Sequence, residues 1–353
     1  MTTRRANIIG TGLIGGSLGL ALRSRGWRVS GTDRDAARVE RALELGAIDD
    51  AALDPDADIT FVAVPVLAVA DVVKQALATT RGIVTDVGSV KAPIVRAVGD
   101  SRFVGGHPMA GSEQEGIDGA DASMFEGAVW VLTPTPETDD DTLARLAAVV
   151  GDLGADVVAL PPERHDALVA VVSHVPHLTA VTLMRLAAAR AEEHAALLRL
   201  AAGGFRDMTR VASGHPAIWP DICAQNRDAI VETLDALIDG LQRMRDHVDR
   251  NDRAGLLQAL AEAREARTNL PMRGLRPAEL VEVRVPVVDR EGVAAEVFTL
   301  AAELGVNVFD FEVAHSPEGT RGVIIAVIDA GKADLFRGGL IARGYHPSIQ
   351  PLA

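Results

Sequence analysis

Gly10-Thr11-Gly12-Leu13-Ile14-Gly15 lies between an apolar run, Arg5 to Ile9, and a stretch, Leu13 to Arg25, whose apolar residues recur at helical spacing. The Gly-x-Gly-x-x-Gly spacing alone says little in a chain with 33 glycines, but between a strand and a helix it has a specific physical use. Gly10 permits a tight turn, Gly12 leaves room for a pyrophosphate, and Gly15 lets helix and strand pack closely, with the helix N-terminus facing the phosphates. A second strand, Arg28 to Thr32, ends at Asp33, 18 residues after Gly15. A carboxylate there accepts hydrogen bonds from the adenosine ribose hydroxyls and repels a 2′-phosphate. These residues predict a Rossmann-type domain that holds a dinucleotide, with NAD favoured over NADP although Arg34 adjoins Asp33. The expected cofactor contacts are Gly10, Gly12, Leu13, Ile14, Gly15 and Asp33, with Val64 and Pro65 after the third strand.

At 353 residues the chain exceeds one core, and its patterning changes twice. Over residues 1–158, the runs Ile59 to Val64, Gly82 to Asp86, Arg102 to Gly105, Ala128 to Leu132 and Asp156 to Ala159 alternate with helical ones, which predicts a doubly wound α/β sheet. Over 159–275 strand signals vanish, and Pro162 to Ala191, Glu192 to Ala201, Ala217 to Val248 and Arg253 to Thr268 read as an all-helical substrate domain. Apolar residues circle much of these helices, as in Ala229-Ile230-Val231 with Leu234, Leu237, Ile238 and Leu241. Such helices need another surface to cover them, so a homodimer is expected. Over 278–353 the order strand, helix, strand, strand, helix, strand predicts a ferredoxin-like βαββαβ unit.

A net charge of −14 argues against nucleic acid as a partner, so an anionic substrate must meet a local basic pocket. Cys223 is the only cysteine, which excludes an internal disulfide and points to a reducing compartment. The charge-free stretch Ala167 to Met184 contains Ser173, His174, His177, Thr179 and Thr182, so it reads as a buried helix pair with a polar seam and not as a membrane span. With no secretory leader at Thr2-Thr3-Arg4-Arg5, a cytoplasmic protein with no membrane partner is expected.

Candidate chemistry falls in the first two parts. Ser89, in Asp86-Val87-Gly88-Ser89-Val90-Lys91 after a strand at the ligand-binding edge, reads equally as a bridge between cofactor and substrate or as a helix N-cap. His107 follows the next strand on that edge, in a loop fixed by Gly105-Gly106 and Pro108. A neutral imidazole there can take a proton from a substrate hydroxyl while hydride leaves the same carbon. Ser173-His174-Val175-Pro176-His177 sets two imidazoles about a turn apart, but with no further ligand nearby no metal is expected. Gly203-Gly204-Phe205-Arg206-Asp207-Met208-Thr209-Arg210 ends in an arginine whose fork suits a carboxylate, with Asp207 placed to orient it.

Together these segments resemble the prephenate and arogenate dehydrogenases of tyrosine biosynthesis over nearly the whole chain. The resemblance rests on the glycine fingerprint extended to Gly16-Ser17, on Asp86-x-Gly88-Ser89-Val90-Lys91, on His107-Pro108-Met109-Ala110-Gly111-x-Glu113, on Ser173-His174-x-Pro176-His177, and on the 203–210 segment with Trp219 and Asn226 downstream. It implies NAD-dependent oxidative decarboxylation of prephenate to 4-hydroxyphenylpyruvate. It also implies His107 and Ser89 at the hydroxyl, Arg210 on the ring carboxylate, His177 against the substrate and Glu113 tuning the field around the side chain. Arogenate is the alternative substrate. The 278–353 segment is similar to an ACT domain, which implies an amino-acid effector such as tyrosine, although Glu291 stands where such modules carry proline. A β-hydroxyacid dehydrogenase is disfavoured, because it relies on a helical-domain lysine and none lies between residues 151 and 280. A dinucleotide sensor without turnover is disfavoured by the complete set of base, hydroxyl contact and carboxylate clamp.

Overall fold

Five strands, β1 (Arg5–Ile9), β2 (Arg28–Thr32), β3 (Ile59–Val62), β4 (Ile83–Asp86) and β5 (Phe103–Pro108), lie parallel in the order β2-β1-β3-β4-β5. They are joined by α1 (Leu13–Ser24), α2 (Ala36–Glu44), α3 (Val66–Thr79) and α4 (Ala92–Val98). The central strands β3 and β4 are buried along their whole length, Thr60, Thr85 and Asp86 included, as expected for a sheet covered on both faces. Two further strands, β6 (Val129–Thr133) and β7 (Asp156–Ala159), flank α5 (Asp140–Asp152) and complete a seven-stranded sheet. They depart from a wholly parallel arrangement, since β6 runs antiparallel to β5. The computed structural model describes residues 3–111, 114, 116–191, 200–268, 280–288, 290–315 and 321–351. Glu113, the expected helix Glu192 to Ala201 across 192–199, and the turn at 316–319 lie outside the described residues.

The charge-free stretch forms one helical run and not a pair: α6 (Pro162–Val169), a π-helical turn at Ala170–His174, and α7 (Val175–Ala191). By length and composition Pro162–Arg190 is apolar enough to cross a membrane. After α8 (Gly203–Thr209) and a 3₁₀ turn at Arg210–Ser213, the expected helix Ala217 to Val248 is divided into α9 (Trp219–Gln225) and α10 (Arg227–Asp249). The break falls at Asn226, whose side-chain amide donates to the Asp166 carbonyl at 2.8 Å. An apolar groove of about 840 Å³ runs along Val171, Val175, Leu183, Met208 and Leu237. Val171 and Val172 beside it are 55% and 65% exposed, far above what an apolar core position shows.

The chain packs as two units, Met1–Ile238 and Asp239–Ala353. The second holds α11 (Arg253–Thr268) and the sequence β8 (Leu280–Val288), α12 (Val293–Glu303), β9 (Val308–His315), β10 (Arg321–Asp329), α13 (Ala333–Ala342) and β11 (Ser348–Pro351). Its sheet is antiparallel in the order β11-β8-β10-β9, the interleaving of a βαββαβ unit. Val283, Val285, Ile324 and Ala326 form its core with Val297, Leu300 and Phe336 of the two helices.

Candidate active site

Parallel strands end on one edge, and that edge gathers most of the predicted residues. Gly10, after β1, has φ +99°, and a Cβ there would lie 2.4 Å from the Ala63 carbonyl oxygen and 3.2 Å from Val64 Cγ1. A Cβ on Gly15 would lie 1.9 Å from the Gly10 carbonyl oxygen, whereas one on Gly12 meets nothing within 4 Å. Packing therefore requires glycine at the first and third positions, while the second faces open space before the N-terminus of α1. Leu13 and Ile14 open that helix, both half-buried, and Pro65 starts α3 as its N-cap. Asp33 is fixed through both oxygens: Oδ2 accepts from Thr11 N at 2.9 Å and Oδ1 from Asp35 N at 3.0 Å. Arg34 is exposed. The glycine cradle and the fixed carboxylate fit a dinucleotide.

His107 is a strand residue and not a loop residue. β5 continues to Pro108 because β6 pairs with it in register, His107 opposite Val131. The imidazole is 9% exposed, and its Nδ1 lies 2.8 Å from Nε2 of His165. His165 Nδ1 in turn lies 2.8 Å from Asp166 Oδ1. Both residues belong to α6, which brings them under β5. Burial pushes the His107 pKa well below the usual imidazole value, and His165, Lys91 and His174 add to the fall.

Below His107 lies a wholly buried ion pair, Lys91 with Asp86. Lys91 Nζ also donates to the Gly106 carbonyl at 2.8 Å, and Asp86 accepts from Gly88 N at 2.8 Å and Gly106 N at 3.2 Å. Burial lowers the Lys91 pKa, and Asp86 and Asp166 oppose the fall. Ser89 is half-buried and does not cap a helix: α4 begins at Ala92 with Lys91 as its N-cap residue. Asp166 takes the capping role instead, accepting from Lys91 N and Ala92 N at 2.8 Å each.

The helical wall is built around Trp219. His177 stacks on its indole, with centroids 3.6 Å apart and planes 12° from parallel, and His174 meets it edge-on at 6.2 Å. His174 Nδ1 accepts from Asn226 Nδ2 at 3.2 Å, and burial pushes its pKa down to about 4. Among the described residues no group of three His, Cys, Asp or Glu side chains is arranged to hold a metal ion. Arg210 opens the 3₁₀ turn that leads to Gly214, where a Cβ would lie 3.8 Å from His177 Cε1, so this turn adjoins the histidine. Among the described ion pairs none joins Asp207 to Arg210. Asp207 lies in the last turn of α8, and Arg210 opens the 3₁₀ turn that follows it. Sequence reading missed His165 and Asp166, and cited Lys91 and Asn226 only as motif members.

Two family models match, one described as prephenate dehydrogenase, nucleotide-binding domain, over residues 18–159, the other as prephenate dehydrogenase, dimerization domain, over 161–262. A prephenate dehydrogenase of Bacillus subtilis is 34% identical over 334 residues, covering 90% of each chain. The chain belongs to the prephenate dehydrogenase family. Among solved structures, family members include the A. aeolicus prephenate dehydrogenase in complex with hydroxyphenyl propionate and NAD+, at TM-score 0.70 and 30% identity over 76% of this chain and 98% of that one. Synechocystis arogenate dehydrogenase matches at TM-score 0.65 and 32% identity, over 74% of this chain and 98% of its own.

Proposed function

We propose that the chain is an NAD-dependent dehydrogenase that oxidatively decarboxylates prephenate, and that residues 1–158, 159–275 and 278–353 serve as cofactor, substrate and regulatory parts. The observation that carries the reading is a buried imidazole, His107, at the same sheet edge as the glycine cradle and the fixed Asp33 carboxylate. Arogenate is the second reading, supported by the Synechocystis arogenate dehydrogenase among the relatives.

The bound nicotinamide supplies a hydride acceptor. His107, kept neutral by burial, takes the proton of the ring hydroxyl as hydride leaves the same carbon. The carbon bond to the ring carboxylate then breaks. Its electron pair enters the ring, carbon dioxide departs, and His107 returns its proton to the phenolate oxygen. Arg210 holds the ring carboxylate through its planar fork. Ser89 contacts the hydroxyl, His177 with Trp219 forms a flat wall for the ring, and Glu113 and Asp207 complete the substrate side. With prephenate and NAD, carbon dioxide and reduced cofactor should appear in a one-to-one ratio. Reduction without carbon dioxide would remove decarboxylation from the reading.

Arg210→Ala should raise KM with little change in kcat, because a clamp that holds ground and transition states alike contributes to binding and not to turnover. Steady-state kinetics over a wide substrate range checks this, and a fall in kcat at constant KM would contradict it.

The exposed apolar groove fits a second copy of the chain, consistent with the dimerization-domain match, so a homodimer is the proposed assembly. We read Pro162–Arg190 as a helix of this dimer and not a membrane segment, because it carries His165, Asp166 and His177, and we place the protein in the cytoplasm. The βαββαβ unit is proposed to be an ACT domain that binds an amino-acid effector, tyrosine, the transaminated form of the product. Millimolar tyrosine should raise the thermal midpoint, since a ligand of the folded state stabilises it. Unchanged stability and unchanged activity would exclude that effector.

A further inference from the structure

We infer that Asp166 and His165 fix the tautomer of His107, leaving its Nε2 without a proton and making that atom the one that accepts the substrate's. The inference rests on the reading of His107 as base and concerns how that base is prepared.

The reasoning starts at Asp166. Its carboxylate accepts from the backbone N–H groups of Lys91 and Ala92, each at 2.8 Å. These donors are fixed by the start of α4 and cannot reverse, so the carboxylate stays in place as an acceptor only. His165 Nδ1, at 2.8 Å from Asp166 Oδ1, must therefore carry the proton of that hydrogen bond. His165 is wholly buried, and we take it in its neutral form. A neutral His165 with a proton on Nδ1 has a lone pair on Nε2. That lone pair faces His107 Nδ1 at 2.8 Å, so His107 Nδ1 donates. His107, neutral as well, is left with its lone pair on Nε2. When Nε2 takes a proton, the new positive charge is stabilised through two rings by a carboxylate already in place. This is the logic of a Ser-His-Asp triad with one more imidazole inserted.

Nothing in the order of groups allows the opposite tautomer without a cost. It would need His165 to donate from Nε2, and hence to bare Nδ1 toward the Asp166 carboxylate, placing two acceptors 2.8 Å apart in a buried site. Asp166 thus caps α4 and prepares the base with one side chain. Its backbone carbonyl is tied as well, by Asn226 Nδ2 at 2.8 Å. His165 and Asp166 are positioning residues, since neither is assigned a contact with substrate or cofactor.

The direct readout is the ¹⁵N spectrum of histidine side chains in the full-length, histidine-labelled enzyme, with the His107 signals assigned by their loss in His107→Asn. The expected result is a protonated, pyrrole-type Nδ1 and an unprotonated, pyridine-type Nε2. A protonated Nε2 in the wild-type enzyme would overturn the inference whatever the kinetics show. His165→Leu leaves the cap on α4 intact and removes the acceptor, and Asp166→Asn adds a donor where only acceptors fit. In His165→Leu the proton on His107 should move toward Nε2, and in both variants kcat should fall by about 10²–10⁴-fold, the scale of a general base's contribution. NAD affinity, followed by fluorescence titration, should stay near wild type in His165→Leu. Wild-type kcat in a folded His165→Leu would also overturn it. If instead His107→Asn keeps full activity while the ¹⁵N spectrum shows the expected tautomer, the base assignment fails and the tautomer lock stands.

Discussion

His107→Asn is expected to lower kcat by about 10²–10⁴-fold, the usual contribution of a general base, while NAD binding stays near normal. The separation follows from geometry. The cofactor cradle belongs to the turn after β1 and to Asp33 after β2, whereas His107 belongs to β5, two strands beyond β3 in the sheet. Asparagine keeps a polar group that can still meet His165, so the buried imidazole of His165 is not left bare. Paired measurements of kcat and of NAD affinity check this. An unchanged kcat would remove His107 from the chemistry, and a parallel loss of NAD affinity would point to a disturbed fold.

The second large effect is on stability. Lys91→Met should destabilise the protein by about 3–5 kcal/mol, because it leaves the Asp86 carboxylate buried without its countercharge. It also removes the donor to the Gly106 carbonyl, one residue before the base. The double variant Asp86→Asn, Lys91→Met should recover part of the loss, since it removes the orphaned charge. Denaturant unfolding of the three proteins measures this. A Lys91→Met variant within about 1 kcal/mol of wild type would mean that Asp86 finds its compensation elsewhere, against the burial seen here.

The parts of this protein that were legible in the sequence are those whose determinants are local. The strand-glycine-helix order around Gly10, Gly12 and Gly15 needs only neighbouring residues, and the structure gives Gly10 and Gly15 steric reasons while Gly12 faces open space. The helix Arg253–Thr268 has the bounds expected from its sequence pattern. The direction of β6 was not legible, because alternation along a strand is the same whichever way the strand runs. The division at Asn226 was hidden for a related reason: the amide that interrupts the helical pattern is held by Asp166, 60 residues earlier.

The same limit explains the missed histidine. His165-Asp166 near the start of a helix reads as solvated polar residues, and only the approach of α6 to β5 and α4 buries it. Paired histidine and aspartate just inside a Pro-initiated helix were the available signal, and the pattern has many innocent instances. Arg210 is proposed as a carboxylate binder from its glycine-hinged segment, and the structure places it in the turn that adjoins His177. The change from α to 3₁₀ geometry at Arg210 was not legible, because residue spacing along a helical pattern does not show it.

The most direct measurement is the initial rate of reduced-cofactor formation with prephenate or arogenate, each paired with NAD or NADP. Prephenate with NAD should give the highest kcat/KM, and NADP should be disfavoured by the fixed Asp33 carboxylate. The absence of turnover in all four combinations, with NAD still bound, would contradict the assignment of this site to a dehydrogenase.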